Sequence, residues 1–147
     1  MSTYLSLHYH LVFSTKDRCP FIQRDWRDRL HGYLGGTVNG LQGIPEKIGG
    51  VEDHVHLLVG LKATHCLADF MRELKKAASI WVHDELGKKE FSWQEGYSAF
   101  TVSATARESV MAYIAEQESH HHKTSFRDEL ESMLERAGVA YDPRFLD

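Results

Sequence analysis

From residue 54 the chain reads His-Val-His-Leu-Leu-Val-Gly-Leu, and neighbouring positions differ in kind. Successive side chains of a β-strand point to opposite faces, so Val55, Leu57, Val59 and Leu61 share one face while His54 and His56 share the other. The apolar face has to be covered by another layer of structure. The two imidazoles then stand together, about 6.6 Å apart along the strand. Leu5 to Phe13 shows the same period: Leu5, Leu7, Tyr9, Leu11 and Phe13 alternate with Ser6, His8, His10 and Val12. This is a second strand with one buried face and one mostly polar face.

Between and after these strands the period changes. Trp26, Leu30, Tyr33, Leu34 and Val38 follow helical spacing, and Gly40 closes that helix. Ile44 to Val51 is a short strand in which Gly49-Gly50 implies a bulge or a close backbone approach. Glu52-Asp53 joins it tightly to the strand beginning at Val55, which predicts an antiparallel hairpin. Residues 66–86 form the strongest helix, with Leu67, Phe70, Met71, Leu74, Ala77, Ala78, Trp81 and Val82 in one stripe. Phe91 to Gly96 reads as a loop with exposed aromatics, and Tyr97 to Ser103 as a fourth strand. Thr105-Ala-Arg-Glu108 has the form of a capping box for a helix running to about residue 120. Ser125-Phe-Arg-Asp128 caps a last helix with a stripe of Phe126, Leu130, Met133 and Leu134.

The order β-α-β-β-α-β followed by two helices predicts an α+β, ferredoxin-like antiparallel sheet. Helices cover one face, two C-terminal helices follow, and the other face is left open. A length of 147 residues without repeats or linkers suits a single domain over 1–147, with residues 124–147 as a C-terminal helical extension. No apolar run approaches the roughly 20 residues of a membrane helix. The start, Met1-Ser-Thr-Tyr-Leu-Ser, lacks the pattern of a secretory signal, so the expected compartment is the cytoplasm. Two cysteines outside any C-x-x-C exclude a disulfide framework and a cysteine zinc knuckle. The net charge of −4 is unevenly spread. Residues 90–147 carry five basic against eleven acidic groups, and the basic groups lie mostly in the first two-thirds.

The His54/His56 pair, preceded by Glu52-Asp53, is the candidate centre. Alone, such a pair is more often two half-exposed rings. Its place on a central hairpin, with His8 and His10 on the polar face of the first strand, suggests an open metal site with a further ligand from elsewhere. Tyr113 and Gln117, four apart, lie on one face of the helix after the fourth strand. His120-His-His122 is as well explained by a solvated helix end as by a metal tract. Lys16, Arg18, Arg72, Lys75 and Lys76 are candidates for phosphate contacts, and Phe91 and Trp93 for stacking on unpaired bases.

Asp53-His54-Val-His56-Leu-Leu-Val, with Tyr113-Ile-Ala-Glu-Gln117 about sixty residues later, resembles the HUH single-tyrosine transposases of the insertion sequence 200/605 group. Tyr9-His10-Leu-Val-Phe-Ser-Thr-Lys16, Leu74-Lys75 with Ser79, and Tyr97-Ser-Ala-Phe-Thr-Val-Ser103 are also similar, so the resemblance covers about residues 4–121. It implies that His54, His56 and Gln117 are metal ligands; His10, on the polar face of the first strand, and Asp53, beside His54, are candidates to support them. Tyr113 is then the nucleophile. Magnesium or manganese is the implied cofactor, and single-stranded DNA with hairpin-containing ends the implied substrate. The implied assembly is a homodimer in which Tyr113 of one subunit serves the histidines of the other. The resemblance further implies cleavage and rejoining through a 5′-phosphotyrosine. The segment from Thr124 to Asp147 departs from the shortest members of the group and has no role assigned by it. Two other readings of the residues are a zinc-type metallohydrolase using the His pair and a non-catalytic single-stranded nucleic-acid-binding module.

Overall fold

A computed structural model of the chain describes residues 2–120 and 123–146. Strands β1 (His8–Ser14), β2 (Ile44–Gly50), β3 (His54–Gly60) and β4 (Ser98–Val102) form one antiparallel sheet in the order β2-β3-β1-β4. Helices α1 (Arg24–Gly40) and α2 (Leu67–Glu85) make the two crossovers, giving the expected ferredoxin-like order. After β4 come α3 (Arg107–Ala115), α4 (Gln117–His120) and α5 (Phe126–Ala137).

The main core lies between α1, α2 and one face of the sheet. Leu11 and Phe13 of β1 and Val55, Leu57 and Val59 of β3 meet Leu30, Leu34 and Val38 of α1 and Phe70, Met71, Leu74, Ala78 and Val82 of α2. Each of these side chains except Ala78 contributes about 1.5–3 kcal/mol when removed from water. Phe91 and Trp93 belong to the same core, being only 1% and 8% exposed, so they cannot stack on bases as they stand. The reason is local. Residues 92–94 fold back along the end of β1, with Lys16 N–H donating to Ser92 O, Gln94 N–H to Ser14 O, and Thr15 bridging Trp93. This drives the two rings edge-on against Phe13 and Trp26.

The second face of the sheet is not open. Every residue of β3 is buried, the histidines included. Val12 of β1 packs with Phe126, Leu130 and Leu134 of α5 and with Leu146, and Phe100 of β4 lies against them. The face carries apolar as well as imidazole groups, and the C-terminal helices supply its cover. Ser125 Oγ accepts from the Asp128 N–H at the start of α5, as its sequence predicts.

Two local expectations are corrected. Thr105 forms no capping box. Residues 104–106 make a 3-10 turn, α3 starts without a side-chain cap, and the Thr105 hydroxyl meets that of Ser103. What anchors α3 is Arg107, which donates to Glu46, itself in contact with His8 Nδ1 at 2.9 Å. Glu46 sits at the irregularity of β2, between Pro45 and Lys47, so the bulge is there and not at Gly49-Gly50. The glycines serve the close approach instead. A Cβ on Gly49 would stand 2.4 Å from Ile114 O of α3, and one on Gly50 2.3 Å from His54 O.

Candidate active site

Strand register builds the floor of the site. His56 is paired with Val12 on one side and Gly49 on the other, and His54 with Ser14. Alternation therefore puts both imidazoles under α3, α4 and α5. Because Gly49 has no side chain, Ile114 settles directly on β2, and the same helix carries Tyr113 over the histidines. The Tyr113 and His56 ring centroids are 5.7 Å apart. The helix is interrupted at Glu116, and α4 begins with Gln117, whose side chain is buried.

Hydrogen bonds define the tautomers. Asp53 Oδ1 accepts from His54 Nδ1 at 2.7 Å, leaving His54 Nε2 facing Gln117 Oε1 at 3.1 Å and Glu129 Oε1 at 3.4 Å. Nε2 thus looks at oxygen acceptors and is satisfied only by carrying a proton or a cation. Burial works against charge on this ring, but the Asp53 and Glu129 contacts outweigh it and raise the His54 pKa to about 8. His56 Nδ1 is 2.8 Å from His10 Nε2, and its Nε2 is 3.1 Å from Glu129 Oε1. Burial first, and the neighbouring His56 second, hold His10 down to about 3, so that ring is neutral.

Glu129 of α5 joins these groups. Its carboxylate is 3% exposed. Oε1 faces the two histidine nitrogens, while Oε2 accepts from the Tyr113 hydroxyl and from Gln117 Nε2 (3.1 Å). His120 Nε2 lies 3.5 Å from the same oxygen. Among the described residues, atoms of His54, His56 and Glu129 form a group lying within 4.8 Å of one another. Two imidazole nitrogens and a carboxylate oxygen, buried and converging, are a donor set that fits a divalent cation. The phenol of Tyr113 is pushed well above its ordinary pKa, by burial first and then by Glu129, while Arg136 acts in the opposite sense. Tyr113 is not sealed inside. It lines an open groove of about 400 Å³ with His10, Phe100, Ser109, Met133 and Arg136.

The predicted residues therefore separate into two groups. His10, Asp53, His54, His56, Tyr113 and Gln117 converge within one chain. Arg18 lines a cleft with Asp53 and Phe126 at the edge of this centre, and Lys16 is exposed on the same turn. Arg72, Lys75 and Lys76 sit on α2, on the far side of the sheet, where they line a groove with Trp93 and Tyr97. Lys75 donates there to the carbonyls of Gln94, Glu95 and Gly96, which makes it a loop clamp. His121 and His122 lie outside the described residues. Glu129 and Arg136 went unpredicted. The sequence signal for Glu129 was an acid one residue before Leu130 of the apolar stripe, which periodicity reads as the polar flank of a surface helix.

The profile of the family described as "Transposase IS200 like" matches residues 3–117. The ISDra2 transposase TnpA of Deinococcus radiodurans is 30% identical over 125 residues, covering 80% of this chain and 86% of that protein. A crystal structure of a Deinococcus radiodurans protein assigned as a transposase superposes with a TM-score of 0.63 at 25% identity, covering 80% of this chain and 95% of that one. A REP-associated tyrosine transposase bound to a REP hairpin gives 0.61 at 15% identity, covering 82% and 74%, a likeness of fold. The chain belongs to the IS200-like transposase family.

Proposed function

We propose that this transposase cleaves and rejoins single-stranded DNA through a 5′-phosphotyrosine on Tyr113, acting with the His54/His56 pair of its own chain. The observation that carries the reading is the meeting of the phenol with the two imidazoles across Glu129 in one buried centre that opens onto a groove. Attack by the phenolic oxygen on phosphorus forms the Tyr–O–P bond and expels the 3′ oxygen, which leaves as a hydroxyl. The phenolic hydrogen already points at Glu129 Oε2, an acceptor placed to receive it. A later 3′-OH reverses the step, so the bond energy is conserved and strands rejoin without ATP. Magnesium or manganese held by His54 and His56, with an oxygen ligand from Gln117 or Glu129, would polarise the phosphate and offset its developing charge. Asp53 and His10 orient the two rings toward the centre. Arg136 stands at the groove where a flanking phosphate would lie, and Arg18 at the cleft on the other side.

The hairpin-bound structure of a tyrosine transposase with this fold supports a hairpin-containing single strand as the partner. Same-chain geometry favours action in cis over the domain-exchanged homodimer. A site in the cytoplasm, where a DNA substrate is available, fits this reading, and so does a single functional domain in which residues 124–147 complete the centre. The zinc hydrolase and the passive binding module both leave the phenol without a task.

The test is covalent capture. Purified protein is incubated with manganese and a 5′-labelled or 3′-labelled hairpin-bearing single strand, then run on a denaturing gel. Wild type retains the fragment downstream of the cut as a protein-linked species, and Tyr113→Phe forms none. Cleavage by Tyr113→Phe at the wild-type rate would overturn the proposal.

A further inference from the structure

We infer that the third protein ligand of the cation is Glu129, supplied by the C-terminal helix α5, and that Gln117 is a positioning residue holding that carboxylate. The inference rests on the metal-assisted reading above and departs from the His-His-Gln set that the family resemblance implies.

The two oxygens differ in where they lie. Glu129 Oε1 is close to both ring nitrogens, 3.1 Å from His56 Nε2 and 3.4 Å from His54 Nε2. The contact found for Gln117 Oε1 is with His54 Nε2, at 3.1 Å. The amide nitrogen of Gln117 is spent on Glu129 Oε2, again at 3.1 Å. A cation accepting lone pairs from both imidazoles therefore finds the carboxylate oxygen facing the pair, with the amide to one side and tied to the carboxylate. The donor chemistry agrees, since a hard divalent ion gains more from an anionic oxygen than from a neutral amide. Burial strengthens the preference. A carboxylate 3% exposed is costly without a compensating positive charge, and imidazoles, a phenol and an amide surround this one.

One group thus links the ligands to the attacking oxygen. Oε1 faces the histidines and Oε2 holds the Tyr113 hydroxyl, so the carboxylate that would hold the cation also holds the phenol. Residues 124–147 are then part of the catalytic centre. Phe126 stacks on the His54 ring, with centroids 4.3 Å apart, which fixes the approach of α5 from the other side.

The experiment measures manganese binding to the full chain without DNA, by loss of the free-ion electron paramagnetic resonance signal. Glu129→Gln, close in shape, should lower affinity by roughly tenfold or more. Gln117→Ala should lower it by less, about tenfold at most, the low end for removal of a group supporting a ligand. Glu129→Cys should acquire a thiolate–cadmium charge-transfer absorption when cadmium is added, and lose it in a His54→Ala background. Melting curves in chelator check that each variant is folded. Wild-type manganese affinity in Glu129→Gln, or a larger loss in Gln117→Ala, would overturn the assignment. Adduct formation by the wild-type protein reports separately on the phosphotyrosine reading, so the two can fail independently.

Discussion

At the scale of single residues, the site is a chain of oriented rings. Asp53 fixes His54, His10 fixes His56, and each leaves an Nε2 directed at the same carboxylate. Asp53 is itself pinned, because its carbonyl oxygen accepts from the Thr15 N–H at 2.8 Å. Replacing Asp53 by Ala removes the partner that sets the His54 tautomer. Metal affinity should fall by roughly tenfold to a hundredfold, and the His54 titration, raised to about 8 in the native chain, should move down. Titration calorimetry with manganese and histidine NMR titration in chelator measure the two effects. Most of this centre was legible in the chain. Period-2 alternation set the His pair on one face; Tyr113 and Gln117 still meet at the centre, though the helix expected to carry both is interrupted at Glu116. Glu129 was not legible, since its value comes from a contact across 73 residues to His56 that no local pattern encodes.

At the scale of elements, the seating of α3 on β2 decides where the phenol lies. Gly49 permits the contact, and any side chain there meets the Ile114 carbonyl. Gly49→Ala must push α3 outward, at a cost of about 1–3 kcal/mol for the overpacked contact. Tyr113 is next to Ile114, so the same shift moves the proposed nucleophile. We expect a lowered urea midpoint and a loss of covalent adduct larger than the stability change explains, with activity and melting measured on the same preparation. The sequence marked Gly49-Gly50 as a bulge or a close approach, and only the second holds there. The bulge fell at Glu46, whose buried carboxylate meets Arg107 and His8. The loop aromatics were misread for a related reason. A short apolar run between polar residues looks exposed until the end of β1 is seen to pair with residues 92–94.

At the scale of the whole molecule, two layers of helix enclose the sheet, one serving the core and the other the chemistry. Arg27 connects them around the β2 edge. It is buried on α1 and donates to Glu118 of α4 at 2.9 Å, next to Gln117. Tyr113 and His56 meet within one chain, with ring centroids 5.7 Å apart, which is the basis of the cis reading proposed above. Mixing Tyr113→Phe with His54→Ala protein should therefore give no more adduct than the two variants apart, whereas a centre shared between subunits would restore it in the mixture. Among the described residues no helix is long and apolar enough to cross a membrane.

The sequence by itself determined the element order, the apolar faces and the convergence of the His pair, because alternation and helical spacing act over a few residues and leave a direct trace in the chain. Closure of the second face, burial of the histidines and the arrival of Glu129 belong to tertiary structure. They depend on where α5 packs, and that was decided by the fit of Phe126, Leu130 and Leu134 against Val12 and the His54 ring, groups brought together only by the folded sheet.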